Sequence, residues 1–206
     1  MSNMFDHCIN LSSLNFDINK FITTKVIDMK YMFSNCKKLN SLDVKHFDTS
    51  LVTNMRNMFE SCKKLTSIDV KNFKTSKVTD MQKMFSNCRE LTNLNISNFD
   101  TSLVKDMNNM FELCPKLLLI DVSHFDTSKV TNMEKMFSNC QSITSLDISS
   151  FDVKSLTKVK RMFEYCSNLV SINFNNFLTY NVTDMSYMFY ECYSLEYHNL
   201  NFIFRR

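Results

Sequence analysis

Two hydrophobic periods alternate along this chain and return every 26 residues. Leu65, Ile68 and Val70 follow the spacing L-x-x-L-x-L, which sets Ile68 and Val70 on one face of a short strand. Upstream, Val52, Met55, Met58, Phe59 and Cys62 fall at i, i+3, i+6, i+7 and i+10, the spacing of one helix face. That spacing predicts a helix, with Asp48 or Ser50 offering the N-cap oxygen. Each repeat then reads as helix, turn, strand, turn. No repeat buries its apolar face alone, so neighbours must stack, their strands roughly 4.8 Å apart in a parallel sheet.

The cysteines mark the register. They stand at 8, 36, 62, 88, 114, 140, 166 and 192; the first interval is 28 residues and the others are 26. A Met-Phe pair precedes each of them, from Met32-Phe33 to Met188-Phe189. One repeat reads M-F-x-x-C-x-x-L-x-x-L-D-[VI]-x-x-F-D-T-S-x-V-T-x-M-x-x, with starts near 4, 32, 58, 84, 110, 136, 162 and 188. A fixed period of this size denotes a solenoid or an array. The expected fold is an α/β solenoid of leucine-rich-repeat type. It is a single domain over 1–206 with about eight stacked helix-strand units, a parallel sheet and a length of roughly 40 Å.

The blocks M-F-x-x-C and F-D-T-S-x-V-T-x-M, joined to the leucine-rich core C-x-x-L-x-x-L-x-[VI], resemble the BspA-like leucine-rich repeat family of bacterial surfaces, some protists and large viruses. That resemblance covers nearly the whole chain. It implies a leucine-rich-repeat solenoid, a cell-surface or secreted location, and a role in adhesion or host interaction. Met1 to Cys8 has neither a basic region nor an apolar core and does not read as a signal peptide, so a cytoplasmic interaction scaffold is the alternative.

Composition narrows the chemistry. The chain has no glycine, which excludes P-loop and dinucleotide-binding turns and the glycine-built calcium β-roll. With 24 Lys and Arg against 21 Asp and Glu, the net charge of +3 is too balanced to argue for nucleic acid. No apolar run approaches the length of a membrane span, so no membrane insertion is expected. A catalytic role has no support: His46 and His124 share one column three repeats apart, roughly 14 Å from each other, and no nucleophile stands beside its own base. No cofactor is implied.

In a solenoid each repeat position becomes a column of side chains. The cysteine column reads as buried thiols, with some disulfides as the alternative; metal is disfavoured because no C-x-x-C pair exists. The methionines and Met-Phe pairs read as core. The candidate binding column is Asn15, Asp43, Asp69, Asn95, Asp121, Asp147 and Asn173, with Ser41, Ser67, Asn93, Ser145 and Ser171 beside it. It lies between two inward-facing strand residues and therefore faces solvent. Solubility and local backbone bonding are the competing explanation for it. Calcium is disfavoured, since no loop gathers enough oxygens.

The Asp-Thr-Ser column reads as turn and cap chemistry, with a flat threonine ladder for ice or glycan as the alternative. The lysines at 37, 38, 63 and 64 read as a solvated face, and phosphate binding is the alternative. The pattern breaks at Leu117 to Ile120, at Lys74, Val153 and Leu178, and in tyrosines 165, 180, 187, 190, 193 and 197. Leu119 reads as tolerated exposure. Tyr187, Tyr190 and Ser194 would share one helical stripe, which makes Tyr187 and Tyr190 a second candidate patch; relaxed surface positions would give the same tyrosines. The expected partner is a protein or a glycan. The chain opens in mid-repeat and its pattern decays from Leu200 to Arg206, so end-to-end self-association or an upstream extension is also expected; concentration-dependent sedimentation tests the former.

Overall fold

Successive repeats lie one above the next in a parallel stack in the computed structural model, which describes residues 1–14, 20–174, 177 and 179–196. Asn15, Leu178, Tyr197, His198 and the segment 200–206 fall outside the described residues. The strands are short: β1 (Ser67–Ile68), β2 (Asn93–Leu94), β3 (Ser145–Asp147) and β4 (Ser171–Asn173). β1 pairs in parallel with β2, Ser67 opposite Asn93. β3 pairs in parallel with β4, Leu146 opposite Ile172 and Asp147 opposite Asn173. A second parallel ladder runs along another edge, through Asp28, Asn54, Asp80, Asp106, Asn132, Lys158 and Asp184.

The expected helices are absent. Among the described residues no α-helix forms, and the stretch from Met55 to Cys62 is two successive four-residue turns. Met58 and Cys62 donate their amides to the carbonyls three residues back, at Met55 and Phe59. The alternate amides of Met55, Asn57, Phe59 and Ser61 donate instead to Asp80, Gln82, Met84 and Ser86 of the next repeat, at 2.7–3.0 Å. An α-helix would keep those donors within its own segment and leave adjacent repeats unjoined there. Two turns and one helix both place apolar residues at i, i+3, i+4 and i+7, so the pattern could not separate them. Asp48 accordingly caps no helix. Its Oδ1 accepts from the amide of Ser50 at 3.0 Å, closing a turn.

These turns require left-handed backbone. Sixteen described residues have positive φ, two in each repeat, and none is glycine. Six are asparagine, which tolerates this region; Lys83, Leu113 and Lys135 are not suited to it. Leu113 sits at φ 58°. Leu113→Gly is expected to raise stability by about 1 kcal/mol, the relief of Cβ crowding exceeding the entropy lost with glycine. Urea unfolding checks it; an unchanged or lower midpoint would mean that the leucine side chain contributes more through packing than its backbone costs.

The interior is columnar and continuous. Phe5, Phe33, Phe59, Phe85, Phe111, Phe137, Phe163 and Phe189 stack with ring centroids 5.3–6.0 Å apart. Beside them the methionine, leucine, valine and cysteine columns are fully buried in the middle repeats. Thr23, Thr49, Thr75, Thr101 and Thr127 form a buried ladder, not a surface one. Each hydroxyl donates to a carbonyl of the next repeat at 2.8–3.0 Å. Thr23, Thr49 and Thr75 also accept that residue's amide, at 2.7 Å. A threonine array for ice or glycan is therefore excluded at this column, because its hydroxyls are spent inside the stack.

Candidate binding surface

Alternation along each strand places the Asp/Asn column outward. Leu42, Ile68, Leu94, Ile120, Leu146 and Ile172 turn into the core, and Asp43, Asp69, Asn95, Asp121, Asp147 and Asn173 beside them are all exposed. The parallel register brings Asp147 against Asn173. Each of the first five also bonds its own backbone. Oδ1 of Asp43, Asp69, Asn95, Asp121 and Asp147 accepts from the amide two residues on, at 2.9–3.2 Å. The hydroxyl and amide of Ser123 hold the Asp121 carboxyl below its ordinary pKa, and those of Ser149 do the same for Asp147.

Two further columns repeat this device, one through Asp48, Asp100, Asp126 and Asp152, the other along the ladder at Asp28, Asn54, Asp80, Asp106, Asn132 and Asp184. Side-chain acceptors thus make the turns that glycine would otherwise serve.

One break alters the face. Leu118 and Leu119 stand where neighbouring repeats carry Thr92 and Asn93, and they are 58% and 68% exposed. Leu119 borders a groove of about 380 Å³ with Asn93, Asn95, Ser97 and Asp121. Sequence reading took Leu117 to Ile120 as the break and assigned exposure to Leu119; Leu118, just before the bridge at Leu119, is exposed as well.

Tyr187 and Tyr190 do meet, edge to face with ring centroids 5.7 Å apart. They do so across a turn, Tyr187 being at φ 58°, and not along a helical stripe; Ser194 is exposed and bonds neither ring. Two further residues complete the patch, Tyr165 from the tyrosine cluster already noted and Arg161, which was missed. Tyr165 packs edge-on to Tyr190 at 5.5 Å, and the Arg161 guanidinium lies 5.0 Å from the Tyr187 ring centroid. Both come from the preceding repeat. Subtracting 26 from 187 finds Arg161, so reading by column would have reached it.

The cysteines carry no surface chemistry in the middle repeats. All eight are free thiols, and those from Cys36 to Cys166 are buried. Each of these donates Sγ–H to the phenylalanine carbonyl of the repeat before, Cys62 to Phe33, Cys88 to Phe59 and so on, at 3.1–3.3 Å. Burial pushes the Cys114 thiol up to about 12 and the Cys88 and Cys140 thiols well above their ordinary value. They stay protonated and unreactive in the fold.

A glycine-free stack of parallel strands and turns with an outward polar column is a leucine-rich-repeat solenoid of BspA-like type. The chain belongs to the family described as "Mycoplasma protein of unknown function, DUF285", whose model matches residues 1–118 and 90–202. A leucine-rich repeat protein from Eubacterium ventriosum is similar at 21% identity and TM-score 0.52, over 82% of this chain and 41% of its own. The Treponema pallidum leucine-rich repeat protein is 19% identical over 67% of this chain and 68% of its own, with TM-score 0.38. A leucine-rich cell surface protein of Faecalibacterium prausnitzii is 17% identical over 95% of this chain and 74% of its own, with TM-score 0.30. This chain therefore spans less than half of the Eubacterium protein. No curated protein matches it. Among the described residues no helix is long and apolar enough to cross a membrane.

Proposed function

We propose that this chain is a non-enzymatic binding solenoid, a single unit over its length, that engages a protein partner through its strand face at the cell surface. The observation that carries this is the exposed Leu118–Leu119 pair on a face otherwise lined by Asp121, Asp147, Asn95 and serines. Apolar anchors within a polar surround are the anatomy of a protein interface, whereas a purely solubilising face has no use for two bare leucines. The resemblance to surface leucine-rich repeat proteins supports the location, and the cytoplasmic scaffold stays the second reading.

A photo-crosslinking residue at 119 or 95, in cells of the source organism with their natural surroundings, tests the face. Discrete protein adducts at both positions are expected, those from the probe at 95 lost in Leu118→Ser/Leu119→Ser and those from either probe lost in the Asp43, Asp69, Asp121, Asp147→Lys variant. A probe at Lys129 should give none. Equal adducts at all three positions, or none, would leave the face as a solubilising surface. Protease treatment of intact cells separates the locations: loss of the chain fits the surface, protection the cytoplasm.

End-to-end association belongs to the same proposal. Met185 is 38% exposed while Met55, Met81, Met107 and Met133 in its column are fully buried, and Phe5, Leu11, Phe189 and Leu195 are only partly covered. In the 26-residue register these faces match residue for residue, Phe189 onto Phe5 and Leu195 onto Leu11 of a second copy.

A further inference from the structure

A second surface, distinct from the strand face, lies along the turn that follows each strand. It holds a groove of about 620 Å³ whose lining includes Lys45, His46, Lys71, Asn72, Lys74 and Asp100. It sits where the repeat departs from itself. Lys45 and Lys71 occupy a column that continues as Ser97, Ser123 and Ser149. Lys74 occupies the column of Asp48, Asp100, Asp126 and Asp152. Three lysines thus gather in two adjacent repeats, in a groove that the later repeats line with serine and aspartate.

The charge along the chain follows the same division. Residues 1–78 hold 12 Lys and Arg against 7 Asp and Glu, and residues 79–206 hold 12 against 14. The groove therefore lies in the basic part of a nearly neutral protein. Lys45, Lys71 and Lys74 are exposed, and none of them takes part in the ion pairs formed among the described residues, whereas Lys83, Lys116, Lys135, Lys154 and Lys160 do. Successive lysines of one column stand about one strand spacing apart, roughly 4.8 Å, close enough to hold one anionic group between them.

The remaining lining selects among anions. Asp48 and Asp100 also border the groove; each commits Oδ1 to its own turn and keeps a second carboxylate oxygen. Those carboxylates accept hydroxyl groups, which a saccharide offers on every ring and the interior of a DNA strand does not. Asn72 donates its Nδ2 to the Lys45 carbonyl at 2.9 Å and keeps its Oδ1 to accept. Phe47 and Phe73 are 3% and 2% exposed, so neither phenylalanine ring is offered for base stacking. Ammonium groups beside hydroxyl acceptors fit a sugar that carries both charge and hydroxyls.

We propose that the groove of Lys45, Lys71 and Lys74 binds an acidic saccharide, its carboxylate or sulfate held between the lysines and its hydroxyls by Asn72 and Asp100. The test is fluorescence titration of the purified 206-residue chain with a labelled heparin octasaccharide, a polygalacturonate octamer and a single-stranded DNA octamer. Binding of at least one of the two saccharides, weakened about tenfold or more in the Lys45→Gln/Lys71→Gln/Lys74→Gln variant and within about twofold of the parent in Lys116→Gln/Lys135→Gln, is expected; the heparin and galacturonate arms separate sulfate from carboxylate. Loss of the strand-face residues Leu118→Ser/Leu119→Ser should leave it intact, so this groove and the protein-binding face fail separately. Equal weakening in both lysine variants, no binding of either saccharide, or DNA binding as tight as the saccharide would overturn the proposal. Unchanged far-UV dichroism of the triple variant, all of whose substitutions are exposed, ties a loss to the groove.

Discussion

Raising the pH above 9 is expected to unfold this protein steeply. Cys62, Cys88, Cys114, Cys140 and Cys166 are buried, and each thiol is pushed above its ordinary value near 9, Cys114 to about 12. Desolvation is the main cause in every case. In the unfolded chain the same thiols ionise at their ordinary value. The folded state therefore binds more protons than the unfolded state between those limits, and stability falls as pH rises through that window.

The contribution is fully present below about pH 9, and each thiol then loses about 1.4 kcal/mol per pH unit until its folded value is reached. Five such thiols remove about 7 kcal/mol by about pH 10, comparable with the whole stability of an ordinary domain. A circular-dichroism titration should show cooperative loss within about one to two pH units above 9. Removing Cys88 by alanine should lower the pH slope of stability by about 1.4 kcal/mol per unit, whatever it does to stability at neutral pH. A chain that keeps its fold and slope to pH 11 would mean that these carbonyl-bonded thiols ionise in place.

Truncation within the phenylalanine column should be the costliest single change at neutral pH. Phe85 is fully buried and lies 5.5 Å from Phe59 and 6.0 Å from Phe111. Phe85→Ala removes ring contacts on two sides and leaves a cavity that the stacked backbone cannot close, a loss of about 3–5 kcal/mol. Because each repeat touches only its neighbours, the defect should also divide the stack. A broadened or two-step urea transition is expected, in place of a parallel shift. Phe189→Ala, on a partly covered ring with Phe163 on one face, should cost less than half as much. Equal losses at both positions would show that the column contributes by area alone and not by continuity.

Much of this architecture was legible because it is periodic. The register of the cysteines and Met-Phe pairs placed Cys62, Met58, Phe59 and Val70 in the core and Asp69 outside, and the parallel pairing of Ser67 with Asn93 follows from the same 26-residue offset. What was misread was the backbone between Met55 and Cys62. Hydrophobic spacing reports which side chains share a face; it does not report where the amides of Asn57 and Phe59 are bonded. The lone signal against a helix was indirect, the asparagines at 35, 57, 87, 109 and 139, which favour left-handed backbone and local bonds over helix interiors.

The candidate surfaces divide in the same way. Exposure of Asp43 through Asn173 followed from alternation along the strand. Local backbone bonding stood there only as the competing explanation, and the structure supplies it, because the chain bends sharply after the strand and Oδ1 reaches the amide two residues on. The tyrosine patch was half seen, since Tyr165 and Arg161 join it from a neighbouring repeat.

The amino-acid sequence by itself determined the repeat length, the family, the identity of the buried apolar columns and the side of the strand that meets solvent, because these depend on which residue types recur at which offset. Only the tertiary structure decided that the connecting segments are turns, that Thr75 and its column lie inside, and that Lys45, Lys71 and Lys74 share one groove. Those outcomes depend on where backbone donors find acceptors in the adjacent repeat, and such bonds form only when the repeats are stacked.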